Sequence, residues 1–370
     1  VDPKTDELVT HFSDHSEWTG VQDDDREGWL KLRQTMLTAS DVAAVMGEDP
    51  RRSAYAVYVD KLVARDQNEV LALDDPRLWG GAHEQVNLTT LARYHGWPYH
   101  RGGALLRSRE HAFLGCTLDA ECLREGAWGI LEGKSTQIPK SYDESAGKLP
   151  TPVLIQVHAQ LTVTRAPVAI VFALLQGCRP HTIIVEPDPR MSEIIVNEAG
   201  EFMEKRVRAL RPPDPTGLPG DAEALRRMFP EDDGSSVALS NEDAELVEQY
   251  VELNAVMGPL KRRKDAIAQH LKARLGGATY GVLPRPAGGK TAVKWKLQKR
   301  EERVVYASES RGFGLLVKPP KTAKRLAKAV AVPSVAELLE ASLDSDQDVA
   351  EAPEGEAAPI RFGKGRKRRR

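Results

Sequence analysis

The sequence predicts an α/β domain, a mixed central sheet flanked by helices, followed by a C-terminal helical extension. Three observations carry that expectation. Between Arg26 and Leu210, stretches with helical apolar periodicity alternate with short runs of apolar and β-branched residues. The order is helices, helix, three strands, helix, two strands, helix, which suits a mixed sheet with helices packed on it. The pattern then stops at RPPDPTGLPGD (211–221), a stretch so rich in proline and glycine that it reads as a linker.

Residues 1–25 are polar and acidic, with three aspartates at 23–25, and are expected to form a flexible lead-in. From Arg26 to Val63 the pattern is helical, interrupted by turns at Gly47 and at EDPRRS. Asp74-Asp75-Pro76 reads as a helix cap with proline in the first turn, and that helix runs to His95 before Gly96. Three strand-like runs follow at 103–107, 111–123 and 127–134. After a polar loop, Thr151-Pro152 opens the helix VLIQVHAQLTVTR. PVAIVFALL and HTIIVEP are the next two strands, and a helix runs from Met191 to about Leu210. The linker is expected over 211–235 and an extension over 236–330. The extension contains a charged helix at 241–275 and a strand-like TAVKWKLQKREERVVY. Residues 331–370, acidic and then basic (RFGKGRKRRR), have the composition of a disordered tail.

A chain of 370 residues can bury a substantial core, and its net charge of −2 averages over strong local bias. No apolar run approaches the length of a membrane span, and the N-terminus lacks a signal-peptide pattern. Three cysteines, Cys116, Cys122 and Cys178, are an odd number without zinc-site spacing. A reducing cytoplasm is the expected location.

The chemistry-bearing residues are few. In GAWGILEGKSTQIPK (126–140), Glu132 and Lys134 are two apart on a strand and share a face. Either they form an exposed ion pair, or chemistry or a metal requires a buried pair that is otherwise costly. In LWGGAHEQVNLTTLARYH, Glu84 lies on the stripe of Leu88 and Leu91, so its carboxylate should point inward; the alternative is a frayed helix start with Glu84 reaching solvent. Gly80 and Gly81 each cost that helix about 1 kcal/mol relative to alanine, which suggests close approach by another group. Asp119 interrupts the apolar run FLGCTLDAECL, where a poor strand former needs a reason. The connection REGA makes a hairpin with the strand of Glu132, so Asp119 and Glu132 can meet at one end of the sheet. Three inward carboxylates beside a lysine form an oxygen-rich site suited to Mg²⁺.

A glutamate on a helix, then Leu-Asp in a strand, then Glu-x-Lys on the next strand resembles the PD-(D/E)XK nuclease superfamily and its restriction-endonuclease-like core. More closely, residues 26–210 resemble its lambda exonuclease/YqaJ-type viral recombinase branch. RQTMLTASDVAAVMG resembles that branch's segment for holding a terminal 5′-phosphate. The resemblance gives Arg33 and Ser40 this role, with Thr117 as the accompanying hydroxyl. It also makes Glu84, Asp119 and Glu132 ligands of Mg²⁺, with Mn²⁺ as a substitute, and Lys134 the group that positions the attacking water. A guanidinium forking onto phosphate oxygens is physically apt. The bland reading of Ser40-Asp41 is a cap on the next helix. LIQVHAQLTVTR resembles the family's third motif, usually Gln-x-Gln, but His158 stands at the second glutamine. Residues two apart on a helix lie about 200° apart, so only one of Gln156 and His158 can face the metals.

The resemblance implies an exonuclease acting 5′ to 3′ on the ends of linear double-stranded DNA. It would leave 3′ overhangs for a single-strand annealing protein in phage-type recombination, with a homotrimer as the assembly. Alternatives are a PD-(D/E)XK endonuclease of repair or restriction and a non-catalytic DNA-binding adaptor. The iron–sulfur nucleases of this fold need four cysteines and are disfavoured. The basic tail would add salt-dependent affinity for DNA phosphates.

Overall fold

The structure is a computed structural model that describes residues 9–22, 24–63, 73, 75–136, 142, 147–282 and 291–294. The tail expected at 331–370 and the strand expected beyond Lys294 lie outside these residues. The chain divides into two units, Val1–Asp233 and Gly234–Arg370.

The first unit opens with β1 (Ser16–Gln22), α1 (Arg26–Thr35), β2 (Leu37–Thr38), α2 (Ala39–Val45) and α3 (Ala54–Leu62). The long helix α4 (Pro76–His95) leads to β3 (Tyr99–Arg101), β4 (Ala104–Ser108), β5 (Leu114–Thr117), β6 (Ala120–Arg124) and β7 (Ala127–Thr136). Then come α5 (Thr151–Thr164), β8 (Ala169–Leu175), β9 (Arg179–Val185), α6 (Pro189–Glu201) and α7 (Pro219–Met228), with one π-helical stretch, Phe202–Arg208, continuing α6.

The strands of this unit form two sheets rather than one. The first has the order β1-β4-β5-β2 and the second β3-β6-β7-β8-β9. Both are mixed, because β2 runs parallel to β5 and β7 parallel to β8 while the other neighbours are antiparallel. β6 and β7 are the expected hairpin, registered Arg124↔Ala127. Its two turn residues, Glu125 and Gly126, both have positive φ, the backbone of a tight turn that matches strand twist. The parallel pair β7–β8 needs a crossover, and α5 supplies it.

Apolar residues cover both faces of the five-stranded sheet, as a sheet sandwiched by helices requires. On one face Leu88 and Leu91 of α4 pack against Ala120, Cys122, Leu131, Ile170 and Phe172. On the other, Ile130, Val171 and Ala173 join the main core with α2, α5 and α6. At about 25 cal/mol per Å² of apolar surface, this double coverage is the main force holding the sheet.

Three expectations are corrected here. Residues 16–22, read as lead-in, form β1, whose Trp18 pairs with Leu106. Burial alternates along it, with Trp18, Gly20 and Gln22 exposed, as in an edge strand with one face on water. The run 111–123 is two strands, broken at Leu118–Asp119, where the chain leaves one sheet and enters the other. Within the linker range, α7 begins with Pro219 in its first turn. It is pinned by buried Asp221, which accepts from Thr216 N–H (2.6 Å), from the Thr216 hydroxyl (2.8 Å) and from the Ser53 hydroxyl of α3.

The second unit contains the 35-residue helix α8 (Asn241–Leu275), capped by Ser240, and the short hairpin β10 (Tyr280–Val282) and β11 (Thr291–Lys294). Among the described residues no helix is long and apolar enough to cross a membrane.

Candidate active site

Three elements converge where the five-stranded sheet begins. Asp119 sits at the break between β5 and β6, Glu132 and Lys134 project from β7, and Glu84 comes from α4. The break is held by backbone bonds: Gly102 N–H donates to Asp119 O (3.2 Å) and Gly103 N–H to Leu118 O (2.9 Å). Gly102 lies so close that a Cβ there would meet Leu118 O at 1.9 Å. Gln85 adds a third anchor, donating to Asp119 O (3.1 Å) while accepting from the Tyr99 hydroxyl (2.6 Å). Asp119 Oδ2 accepts from Gly133 N–H at 2.8 Å, which ties its carboxylate to β7. Gly133 faces α4, where a Cβ would lie 3.4 Å from Glu84 Cγ.

Glu132 is wholly buried and serves as the hub of the polar cluster. Lys134 pairs with its Oε1. Gln156 donates to the same oxygen (2.7 Å) and Gln160 to Oε2 (2.7 Å). Gln156 and Gln160 are four apart on α5 and therefore share a face. The sequence reading missed Gln160, although helix geometry points to it once Gln156 is chosen. His158 lies on another side of α5. It is buried, its Nδ1 has no hydrogen-bond partner, and burial lowers its pKa against an opposing pull from Asp188. Of the two alternatives, Gln156 is the one bonded to the carboxylate cluster.

Burial, and then the neighbouring Glu132 charge, push Asp119 well above the usual carboxylate range; Glu84 adds to this, while Lys134 and Gly133 N–H oppose it. Burial also disfavours the Lys134 ammonium, yet Glu132 and Asp119 outweigh it and raise its pKa. Tyr142, buried in the same cluster, is raised by burial and feels both Lys134 and Glu132. One lysine thus faces crowded carboxylates, one of them with its charged form disfavoured by its surroundings. Such an oxygen-donor set fits a divalent cation of the Mg²⁺ type, which would relieve the crowding.

The second group gathers on α1, α2 and α3 beside the four-stranded sheet. Arg33 donates to the Thr38 hydroxyl (2.8 Å), to Ser40 Oγ (3.3 Å) and to Asp41 Oδ1 (2.7 Å), and its guanidinium lies over the Trp29 ring. Trp29 Nε1 points to the Thr117 hydroxyl at 3.4 Å. Thr38, not Ser40, is the N-cap of α2. Asp41 at the third helical position accepts from Thr38 N–H (3.4 Å) and from its hydroxyl (2.9 Å). Of the expected capping pair, Asp41 shares the capping box with Thr38 while Ser40 takes no part in it, and the exposed Ser40 hydroxyl turns to Arg33 instead.

Asp41 is completely buried among three cations. Arg33 and Arg52 bond Oδ1 (2.7 and 2.6 Å) and Lys61 bonds Oδ2 (2.8 Å). Burial alone would raise its pKa, but Arg33, Lys61 and Arg52 hold it well below the ordinary range. Arg52 also pairs with Asp60, so three cations meet two carboxylates and leave a positive surplus, and they line a cavity of about 150 Å³ with Asp60, Trp29 and Ser40. A neighbouring cleft of about 300 Å³ is lined by Arg33, Ser40 and Thr117 together with Glu84, Asp119 and Gln156. The expected phosphate residues and two of the expected metal ligands therefore open onto one space.

Residues 28–167 match the family described as the YqaJ-like viral recombinase domain, the branch that the sequence motifs resemble. The match spans every residue of both groups. No curated protein matches the chain. Among solved structures, an alkaline exonuclease from Laribacter hongkongensis aligns at 18% identity, over 50% of this chain and 96% of its own, with a TM-score of 0.41. The same exonuclease in complex with dAMP aligns at 20%, over 55% and 97%, also at 0.41. A phage-related exonuclease from Haemophilus somnus 129PT aligns at 13%, over 50% and 100%, with a TM-score of 0.36.

Proposed function

We infer that this chain, whose residues 28–167 carry a YqaJ-like viral recombinase domain, is a metal-dependent deoxyribonuclease that digests linear double-stranded DNA from its 5′ ends. The observation that carries the reading is the shared cleft, with a cationic, hydroxyl-bearing wall (Arg33, Ser40, Thr117) facing a carboxylate wall (Glu84, Asp119). An anion held on the first wall sets a neighbouring phosphodiester against the second.

Glu84, Asp119 and Glu132 would hold Mg²⁺, or Mn²⁺ in its place. Bound there, the cation lowers the pKa of its water and neutralises charge on the phosphodiester. Lys134 orients the attacking water, and Gln156 and Gln160 fix the buried Glu132 carboxylate in place. Arg33 and Ser40 hold the terminal 5′-phosphate, with Thr117 as the third donor. No nucleophilic serine or cysteine is required. The 3′ overhang would pass to a single-strand annealing protein, and a homotrimer enclosing the duplex would keep digestion processive. This activity suits the cytoplasm of a bacterial host.

The test uses linear duplexes carrying 5′-phosphate or 5′-hydroxyl ends, with Mg²⁺. Phosphorylated ends should be degraded faster, and Arg33→Ala should remove most of that difference. A charge-assisted contact is worth about 1.5–3 kcal/mol, or roughly tenfold to a hundredfold in rate. Lys134→Ala should abolish digestion of both. Equal end preference in wild type and Arg33→Ala would favour an endonuclease, and metal-dependent cleavage lacking altogether would favour a DNA-binding adaptor.

A further inference from the structure

A second cluster lies outside the cleft and is built from different atoms. Glu121 follows Asp119 by two residues and is buried on β6. His100 of β3 is its direct partner across the antiparallel ladder. Side chains of directly opposed residues emerge on one face within about 5.5 Å of each other. The third member, His11, comes from the segment before β1. Its Nδ1 is 2.6 Å from Glu121 Oε2, and His100 Nδ1 is 3.8 Å from the same oxygen. One ligand-type atom from each of the three residues lies within 4.8 Å of the others.

The surroundings hold these groups in place. The Thr10 hydroxyl donates to Glu121 Oε1 (2.5 Å) and His11 N–H to Oε2 (2.9 Å). The His11 ring stacks on Trp128 at 3.4 Å between centroids and meets His100 edge-on at 5.4 Å. Hydrogen bonding alone does not complete the cluster, because His100 Nδ1 is buried without a partner. A buried polar atom left unsatisfied costs about 1–3 kcal/mol. A cation shared by the three residues would satisfy it.

We propose that His11, His100 and Glu121 form a site for a transition-metal cation of the Zn²⁺ class, with water as the fourth ligand. Two imidazoles and one carboxylate suit zinc, whereas magnesium takes oxygen ligands and keeps several waters. The two clusters therefore select different metals, although Asp119 and Glu121 are only two residues apart. A neutral imidazole binds through its bare nitrogen, so with the cation on His11 Nδ1 the ring carries its one proton on Nε2. The cation clips the segment before β1 onto the edge pair β3–β6, joining the start of the four-stranded sheet to the five-stranded one.

The test is metal analysis of the purified full-length chain after exposure to Zn²⁺ and removal of excess, on wild type, His100→Ala, Glu121→Gln and Asp119→Asn. One equivalent of zinc is expected on wild type and on Asp119→Asn, with a rise in melting temperature, and none on His100→Ala or Glu121→Gln. Folded wild type that retains no zinc overturns the proposal. So does zinc that survives in His100→Ala, or that is lost in Asp119→Asn, which would put it among the cleft carboxylates. Should the cluster variants fail to fold, X-ray absorption on zinc-loaded wild type decides the matter. Imidazole scattering is expected, and an all-oxygen shell overturns the site. None of these readings depends on nuclease activity, so their failure is separable from failure of the proposed function.

Discussion

The Asp119 carboxyl holds its proton more tightly than an ordinary carboxyl does. Burial, and then Glu132, raise its pKa above the ordinary carboxylate value. In the metal-free protein the folded state therefore holds a proton that the unfolded chain has released. Relative to an unperturbed aspartate, its contribution to stability is full below about pH 3.9, falls as pH rises through the raised folded pKa, and stays lost above it. The slope in that window is at most about 1.4 kcal/mol per pH unit for one proton. Asp119→Asn removes the titration. In chelator, its melting temperature should gain on wild type as pH rises across the window, and added Mg²⁺ should close the gap by stabilising wild type. A gap constant with pH would show that Asp119 titrates normally. Since a ligating carboxylate must be ionised, the acid limb of activity should also lie above the usual carboxylate range.

At the scale of elements, the joint between β5 and β6 determines where that carboxylate stands. Leu118 and Asp119 rest on Gly102 so closely that alanine cannot be admitted without moving the joint. Gly102→Ala should cost roughly 1–3 kcal/mol in stability, the usual penalty for overpacking. It should reduce turnover more than substrate binding, because Arg33 and Ser40 stand elsewhere. Denaturant melts with steady-state kinetics check both, and unchanged turnover in a destabilised variant would separate the joint from the site. Much of this region is legible in sequence: α4 between Pro76 and Gly96, the β6–β7 hairpin, α5, and the Glu132/Lys134 face all follow from periodicity and caps. The break itself is not. FLGCTLDAECL reads as one strand because a local pattern records which residues are buried, not that two sheets bury them. The odd aspartate was the single local sign. Gln160 was missed for the opposite reason, since a two-residue motif was sought where helix geometry asks for four. Asp41, Arg52 and Lys61 were unreadable as a cluster because only tertiary contact assembles them.

For the whole molecule, the core clusters draw their buried residues from Phe12 to Ala224. All lie in the first unit. Both residue groups lining the cleft lie there as well. A chain truncated after Asp233 should therefore fold and melt cooperatively, keeping metal-dependent hydrolysis of short duplexes. Calorimetry and a digestion assay on the truncated protein test this, and loss of the thermal transition would show the second unit to be part of the folding unit. By contrast, α8 keeps only Val251 buried while Leu246, Leu253, Met257 and Leu260 are exposed. Sequence alone could not anticipate that contrast, because the helical period of 241–275 is as regular as that of the buried helices.

The joint at Leu118–Asp119 also measures length. Thr117, on the cationic, hydroxyl-bearing side of the cleft, and Asp119, on its carboxylate side, are separated by a single residue of one continuous backbone. Two residue steps span at most about 7 Å, comparable to one or two nucleotide steps at roughly 3.4 Å each. In the proposed activity the gap between a gripped end and the bond that is cut is thus a covalent dimension. No domain has to move to set it, and neither sheet can drift without carrying both marks of the ruler along. The stride of such an enzyme would be fixed by peptide bond lengths, cut after cut.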